Sequence, residues 1–139
     1  MSFLLDTNVI SELRKGARGN ADVMRWFSGV EDEELYTSVI VLGELRYGVE
    51  RARRRDPRQA EALERWLDRV ARRFADRALP VDRRVADEWG RLNVPDPLPT
   101  ADALLAATAK VHRLTLVTRD VRDIARTGVS YLNPFDPAP

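Results

Sequence analysis

The sequence predicts an α/β protein with a mainly parallel sheet of four to five strands. Short apolar runs alternate with longer amphipathic segments along the chain, which is typical of sheets whose strands are joined by helices. Residues that cap helices stand where several of the longer segments begin. The 139 residues, of which 44% are hydrophobic, suffice for one buried core, so we expect a single domain over residues 1–139.

The first predicted strand is the apolar run at residues 3–5, which Asp6 ends. A helix that reaches about residue 14 is expected next, because Thr7 or Asn8 is suited to cap it. Asn20 is expected to cap a second helix, since apolar residues recur at helical spacing behind it.

The middle of the chain predicts one strand and two long helices. Residues 34–37 are expected to form the second strand, and Ser38 is expected to cap the helix that follows. Asp56 precedes a proline, the favoured order at a helix start. The helix that begins there has apolar residues spaced by four, three and four positions, at Leu63, Leu67, Val70 and Phe74.

The last third of the chain predicts three more strands. Residues 78–81 are expected to form the third strand, and Asp82 is expected to cap a helix behind it. An alanine-rich helix over residues 100–112 leads to the clearest strand, at residues 114–118. A short strand at residues 131–132 and a proline-rich tail complete the chain.

The composition excludes several kinds of chemistry. The chain has no cysteine, which removes disulfides, thiolate nucleophiles and zinc–thiolate sites, and its single histidine excludes multi-histidine metal sites. The formal net charge is +1, and no apolar run approaches the roughly 18 residues of a membrane span. We therefore expect a soluble cytoplasmic protein without membrane association, whose chemistry depends on carboxylates, hydroxyls, arginines or a metal held by oxygen ligands.

Two acidic residues follow predicted strands directly. Asp6 comes after the first strand and Asp120 after the fourth. Ligands of open parallel sheets bind outside the carboxyl ends of the strands, so the two carboxylates would converge if these strands are neighbours. The alternative is that each side chain only caps the helix behind it.

Two further acids lie on helix faces that the pattern predicts to be buried. Glu44 is expected to lie in the middle of the inward stripe of its helix, which consists of Ile40, Val41, Leu45, Gly48 and Ala52. Asp102 shares a face with Leu105 and Ala109. A carboxylate that faces a core is costly unless it is paired or bound to a cation. The alternatives are a buried salt bridge, for instance to Arg46 or Arg119, or a position of Glu44 at the edge of the stripe.

The four acids together predict a metal site. Two carboxylates about 4 Å apart repel each other by about 4 kcal/mol at an effective dielectric constant near 20. Mg2+ or Mn2+ would compensate this charge, since hard divalent cations take oxygen ligands. Such a site supports the hydrolysis of phosphodiester bonds.

Five segments resemble PIN-domain ribonucleases, and in particular the VapC and FitB type of toxin from bacterial toxin–antitoxin pairs. The resemblance spans nearly the whole chain, and the ordered set is far more specific than any single segment. The segments are residues 3–12 (FLLDTNVISE), 38–45 (SVIVLGEL), 98–109 (LPTADALLAATA), 114–120 (LTLVTRD) and 133–135 (NPF).

The resemblance implies a PIN-like α/β/α sandwich and Mg2+- or Mn2+-dependent endoribonuclease activity. It also implies a homodimer and a small cognate antitoxin whose tail enters the active-site groove. The acids implied as catalytic and metal-binding residues are Asp6, Glu44, Asp102 and Asp120. Relatives often have asparagine at the position of Asp120, which leaves open whether Asp120 is a direct ligand. The residues implied as supporting the site are Thr7, Asn8 and Thr118.

The segment 46–77 contains 11 arginines and 6 acidic residues. It is interpreted either as a surface that contacts RNA or the antitoxin, or as a helical pair laced with salt bridges. The candidate contact residues are Arg46, Arg51, Arg53, Arg54 and Arg55.

Two other functions compete with a ribonuclease. An aspartyl-phosphate phosphatase would use Asp6 as its nucleophile, but such enzymes generally need an acid two residues later, where this chain has Asn8. A non-catalytic module that binds RNA or protein would have no reason to keep a complete set of acids.

Overall fold

The predicted α/β fold is confirmed by the computed structural model, in which the described residues are 1–136. Five parallel strands form one sheet in the order β3-β2-β1-β4-β5, so β1 is the central strand. The strands are β1 (Phe3–Leu5), β2 (Leu35–Ser38), β3 (Ala78–Leu79), β4 (Thr115–Val117) and β5 (Tyr131–Leu132).

The third strand is shorter than predicted. It was expected over residues 78–81, but β3 ends at Leu79. Pro80 follows it and has no N–H to donate to a neighbouring strand, so the ladder ends there. The proline-rich tail predicted at the end of the chain lies partly outside the described residues.

Helices flank the sheet and join its parallel strands. They are α1 (Thr7–Leu13), α2 (Ala21–Ser28), α3 (Val39–Arg55), α4 (Pro57–Arg73), α5 (Arg83–Leu92), α6 (Thr100–His112) and α7 (Val121–Ile124). Single 3-10 turns, which the sequence did not predict, lie at Gly16–Arg18, Asp32–Glu34 and Ala125–Thr127. None of the helices in residues 1–136 is both long enough and apolar enough to cross a membrane.

Most of the predicted helix caps are present. The side chains of Asn20, Ser38, Asp56 and Asp82 each accept a hydrogen bond from a backbone N–H in the first turn of their helix. The cap of α1 was predicted incorrectly, because Asp6 occupies that position instead of Thr7 or Asn8. Asp56 both ends α3 and caps α4, so a single residue joins these two long helices.

The core lies on the central strand. Leu4 and Leu5 of β1 are fully buried, as is Leu116 of β4, while α3 and α4 pack their apolar faces onto this centre. The Thr37 hydroxyl of β2 donates a 3.0 Å hydrogen bond to the Leu5 carbonyl. This hydrogen bond fixes the carboxyl end of β1, which lies between the carboxyl ends of β2 and β4.

Candidate metal centre

The carboxyl ends of β1 and β4 lie side by side, which meets the condition under which Asp6 and Asp120 were expected to converge. Leu5 pairs with Val117 in parallel register, and the Asp6 N–H donates a 3.0 Å hydrogen bond to the Val117 carbonyl. Asp6 and Asp120 therefore leave the sheet at the same edge. The Asp120 side chain does not cap α7, so helix capping does not account for its position.

A third carboxylate reaches this edge from α6. Asp102 lies in the first turn of that helix and is half-buried. Carboxylate oxygens of Asp6, Asp102 and Asp120 all lie within 4.8 Å of one another. The structure thus brings together three of the four acids that the sequence singled out.

Hydroxyl and amide groups fix the orientation of two of these carboxylates. The Thr118 hydroxyl donates a 2.7 Å hydrogen bond to Asp6 Oδ2 and accepts one from the Asp120 N–H at 3.0 Å. The Thr7 N–H donates to Asp6 Oδ1 at 2.6 Å, and Asn8 Nδ2 donates to both Asp6 and Asp120 at 3.4 Å. The three residues predicted as supporting all contact the acids.

The predicted burial of Glu44 is wrong. The buried face of α3 consists of Val41, Leu45, Val49 and Ala52, whereas Glu44 is exposed and Gly48 beside it is exposed too. The buried face is displaced by about half a residue position from the predicted stripe, since Val49 takes the place of Ile40 and Gly48. Glu44 lies at the rim instead, where its Oε1 accepts a 2.6 Å hydrogen bond from the Thr7 hydroxyl.

No lysine or arginine in residues 1–136 forms an ion pair with any of these four acids. Arg46 instead pairs with Glu50 and Glu64, and Arg119 stacks on the Phe135 ring at 3.8 Å. At 4.8 Å, any two ionised carboxylates of Asp6, Asp102 and Asp120 repel each other by about 3 kcal/mol at an effective dielectric constant near 20. The cluster therefore holds negative charge that the described part of the chain does not neutralise.

Burial and this repulsion both raise the pKa values of Asp6 and Asp102. Burial raises the pKa of Asp6, and the charges of Glu44 and Asp120 raise it further, although hydrogen bonds from Thr118 and Thr7 oppose the rise. Burial and then the charges of Asp6 and Asp120 raise the pKa of Asp102 to about 6. Protons therefore compete with any cation for the Asp102 carboxylate when the pH falls towards about 6.

A further acid near the cluster is Asp123, which is not among the predicted site residues. This residue lies in the first turn of α7, and its charge also contributes to the raised pKa of Asp102. Its spacing of three residues from Asp120 was the available signal, since two acids three apart share one face of a helical turn.

We expect the stability of the metal-free protein to fall as the pH rises from about 5 to about 7. A raised pKa means that the folded state favours the protonated carboxyl, so its contribution is fully present below the ordinary value of 3.8 and is lost as the pH passes about 6. Partial solvent screening limits the loss from Asp102 to about 1–2 kcal/mol. Chemical denaturation in EDTA at both pH values measures it.

The Asp102→Asn variant is the control for this pH effect. Its free energy of unfolding should change less between the two pH values than that of the wild type. An equal change in both proteins would show that Asp102 ionises at its ordinary pKa.

The arginine-rich segment divides into two groups. Arg46 and Arg53 form ion pairs with Glu50 of their own helix and Glu64 of α4, as the helical-pair interpretation predicts. The remaining three candidates are exposed, and in residues 1–136 no acidic group pairs with them; they are Arg51, Arg54 and Arg55.

The donor set fits a hard divalent cation. Every candidate ligand atom in the cluster is a carboxylate oxygen, and the three acids come from the ends of two strands and one helix that the fold holds rigidly. Mg2+ and Mn2+ prefer such ligands, and a doubly positive charge would offset the repulsion among them.

Known proteins resemble this chain over nearly its whole length. The PIN domain profile matches residues 3–129. The chain is 35% identical over 139 residues to Toxin FitB of Neisseria gonorrhoeae, covering 96% of this chain and 98% of that protein. It is also 35% identical over 141 residues to VapC ribonuclease Y4jK of Sinorhizobium fredii, covering 98% and 99%. The solved structure of FitAB bound to an IR36 DNA fragment is similar with a TM-score of 0.87 and 31% identity, covering 99% of this chain and 98% of that chain.

Proposed function

The chain belongs to the PIN-domain family, and from this we propose that it is an endoribonuclease that requires Mg2+ or Mn2+ and acts as the toxin of a toxin–antitoxin pair. The observation that carries the proposal is the group of three carboxylates within 4.8 Å, which no basic side chain of residues 1–136 neutralises. The relatives named as a toxin and as a ribonuclease support the same activity.

Each acid has a role in this proposal. Asp6, Asp102 and Asp120 would hold the cation, and Asp120 would do so directly because its carboxylate lies within the cluster. Glu44 would add negative charge from the rim, where the Thr7 hydroxyl orients it. When bound, a divalent cation lowers the pKa of an attacking water and stabilises charge on the phosphoryl oxygens.

The supporting residues keep the site in one geometry. Thr118 donates to the Asp6 carboxylate and accepts from the Asp120 backbone N–H, while Asn8 donates to the carboxylates of both acids. The two carboxylates therefore cannot turn away from each other without breaking hydrogen bonds. Water would attack the phosphorus atom of an RNA phosphodiester, and one P–O bond would break. Fixed acidic ligands avoid a reorganisation cost at this step.

The structure disfavours the phosphatase alternative. Both carboxylate oxygens of Asp6 accept short hydrogen bonds, at 2.6 Å from the Thr7 N–H and at 2.7 Å from Thr118. Asn8, which occupies the position of a second acid, donates a hydrogen bond to Asp6, and its amide cannot act as a general acid for a leaving group. Lys110, the sole lysine downstream, pairs with Glu88 at 2.8 Å.

For the partners, we propose an RNA substrate in the cytoplasm, a cognate antitoxin protein and a homodimer. The relative named Toxin FitB and the solved FitAB structure support the antitoxin. Co-expression with a small protein encoded beside this gene, followed by co-purification and measurement of the molar mass, tests both the antitoxin and the dimer.

Removal of divalent cations is expected to abolish cleavage. A labelled RNA should be cut in the presence of Mg2+ or Mn2+ and remain intact in excess EDTA, and renewed addition of either ion should restore the reaction. Gel electrophoresis of the RNA measures this. Full cleavage in EDTA would overturn the metal dependence.

A further inference from the structure

A cleft beside the acidic cluster combines aromatic rings with guanidinium groups. It has a volume of about 360 Å³ and lies among α1, α3 and α4. Thr7 and Glu44 form the wall that it shares with the acidic site, and its other main lining residues are Arg14, Tyr47, Arg51 and Trp66.

Two arginines of this cleft lie within cation–π distance of its aromatic rings. The Arg51 guanidinium carbon lies 5.5 Å from the centre of the Tyr47 ring, and that of Arg14 lies 5.8 Å from the Trp66 ring. Tyr47 is nevertheless 65% exposed, which is unusual for an aromatic side chain and leaves ring surface free for a ligand. Each contact favours a position of the guanidinium group over its ring.

The charge of the cleft suits a polyanion. Arg14 and Arg51 are both exposed, and Arg54 and Arg55 extend the positive charge to the end of α3. Glu44 is the one acid in the lining, and it lies at the boundary with the cluster, where its oxygen is hydrogen-bonded to Thr7. Positive charge therefore begins where the acidic cluster ends.

We propose that this cleft, defined by Arg14, Tyr47, Arg51 and Trp66, binds one nucleotide of the RNA that flanks the bond to be cut. A base would stack on Tyr47, and the adjoining phosphate would contact Arg51 and Arg14. This arrangement matches single-strand binding sites that combine aromatic platforms with cationic groups. The inference rests on the proposed function, since it names a subsite of the same substrate.

The cleft also makes a prediction about sequence preference. Stacking on an aromatic ring accepts every base, because each base has a π face. The cleft therefore contributes affinity for single strands rather than the choice of a particular base. Double-stranded RNA, whose bases are already stacked on each other, should bind more weakly.

Equilibrium binding of a fluorescent single-stranded oligoribonucleotide in EDTA tests the proposal without cleavage. Tyr47→Ala should weaken binding by about tenfold, whereas Tyr47→Phe, which keeps the ring, should bind as the wild type does. Arg51→Gln should weaken binding and reduce its dependence on salt. Arg69→Gln removes the same charge from an exposed position of α4 outside the cleft and should change affinity by less than about twofold.

Cleavage kinetics give an independent result. With Mg2+ present, Tyr47→Ala should raise KM and leave kcat nearly unchanged, because the cleft contacts substrate away from the reacting atoms. If the wild type cleaves RNA and Tyr47→Ala binds it equally well, the cleft assignment is wrong while the proposed function stands.

Two further outcomes would overturn the cleft assignment. If the wild type neither binds nor cleaves RNA, the proposed function fails and the subsite fails with it. If the variants bind RNA normally but lose a co-purified protein partner, the cleft holds a protein segment. Tyr47 is exposed, so the variants should fold, and circular dichroism checks this.

Discussion

The Asp102→Asn variant is expected to lose RNA cleavage by about a thousandfold while keeping its fold. The substitution removes one of three carboxylates that lie within 4.8 Å of one another, and with it one charge of the proposed cation site. Asp102 is the cleanest of the three to change, because no hydrogen bond contributes to its pKa, whereas Asp6 is held by Thr7 and Thr118. Cleavage rates and Mn2+ titration by calorimetry measure both losses.

Asp87→Asn is the matched control for this change. It removes the same charge from an exposed position of α5 and should retain full activity. Near-normal cleavage by Asp102→Asn would show that the cluster does not hold the catalytic ion. Asp6→Asn should also lose cleavage, and a fully active Asp6→Asn enzyme would contradict the mechanism just as directly.

The Leu4→Ala variant is expected to lose about 2–5 kcal/mol of its free energy of unfolding. Leu4 is fully buried at the centre of β1, the middle strand of the sheet, so truncation leaves a cavity that neighbours on both sides cannot fill. This loss is a large part of the roughly 5–15 kcal/mol that stabilises a domain of ordinary size. Urea denaturation followed by circular dichroism measures it.

Val94→Ala removes apolar atoms from a side chain that is 75% exposed and should change stability by less than about 0.5 kcal/mol. Similar losses in the two variants would contradict the assignment of the core. Because Asp6 follows β1 directly, Leu4→Ala should also weaken metal binding at temperatures where the strand begins to unfold.

The sheet and two of the acidic residues could be predicted because the signals are local. An apolar run followed at once by Asp6 or Asp120 identifies both a buried strand and its carboxyl end. Helical periodicity located Asp102, since it shares a face of its helix with Leu105 and Ala109. Parallel pairing then brings these ends together without further information.

The orientation of Glu44 could not be predicted in this way. Which face of α3 is buried depends on how α4 packs against it. The periodicity of α3 alone does not indicate this contact. The pattern was compatible with Ile40 and Gly48 in the buried stripe, but the structure selects Val41, Leu45 and Val49. A displacement of the buried face by about half a residue position was enough to leave Glu44 at the rim instead of in the core.

The arginines of α3 had the same ambiguity. Arg46 and Arg53 reach Glu64 across the helix pair, at sequence separations of 18 and 11 residues. Spacing rules within one helix identify only the nearer partner, Glu50. Tyr47 was overlooked for a related reason, because an aromatic residue in an amphipathic helix is ordinarily part of the core.

Asp56 is the only residue between α3 and α4, and neither of its neighbours is a glycine. Glu64 of α4 forms ion pairs with Arg46 and Arg53 of α3. The two helices therefore form one rigid helical pair without a hinge. Because Tyr47 and Arg51 belong to this pair of helices, their backbone is ordered before a strand binds, and only their side chains lose conformational freedom on binding. Which RNA substrates bind then depends on the RNA itself, whose bases must be free to unstack and fit a rigid surface.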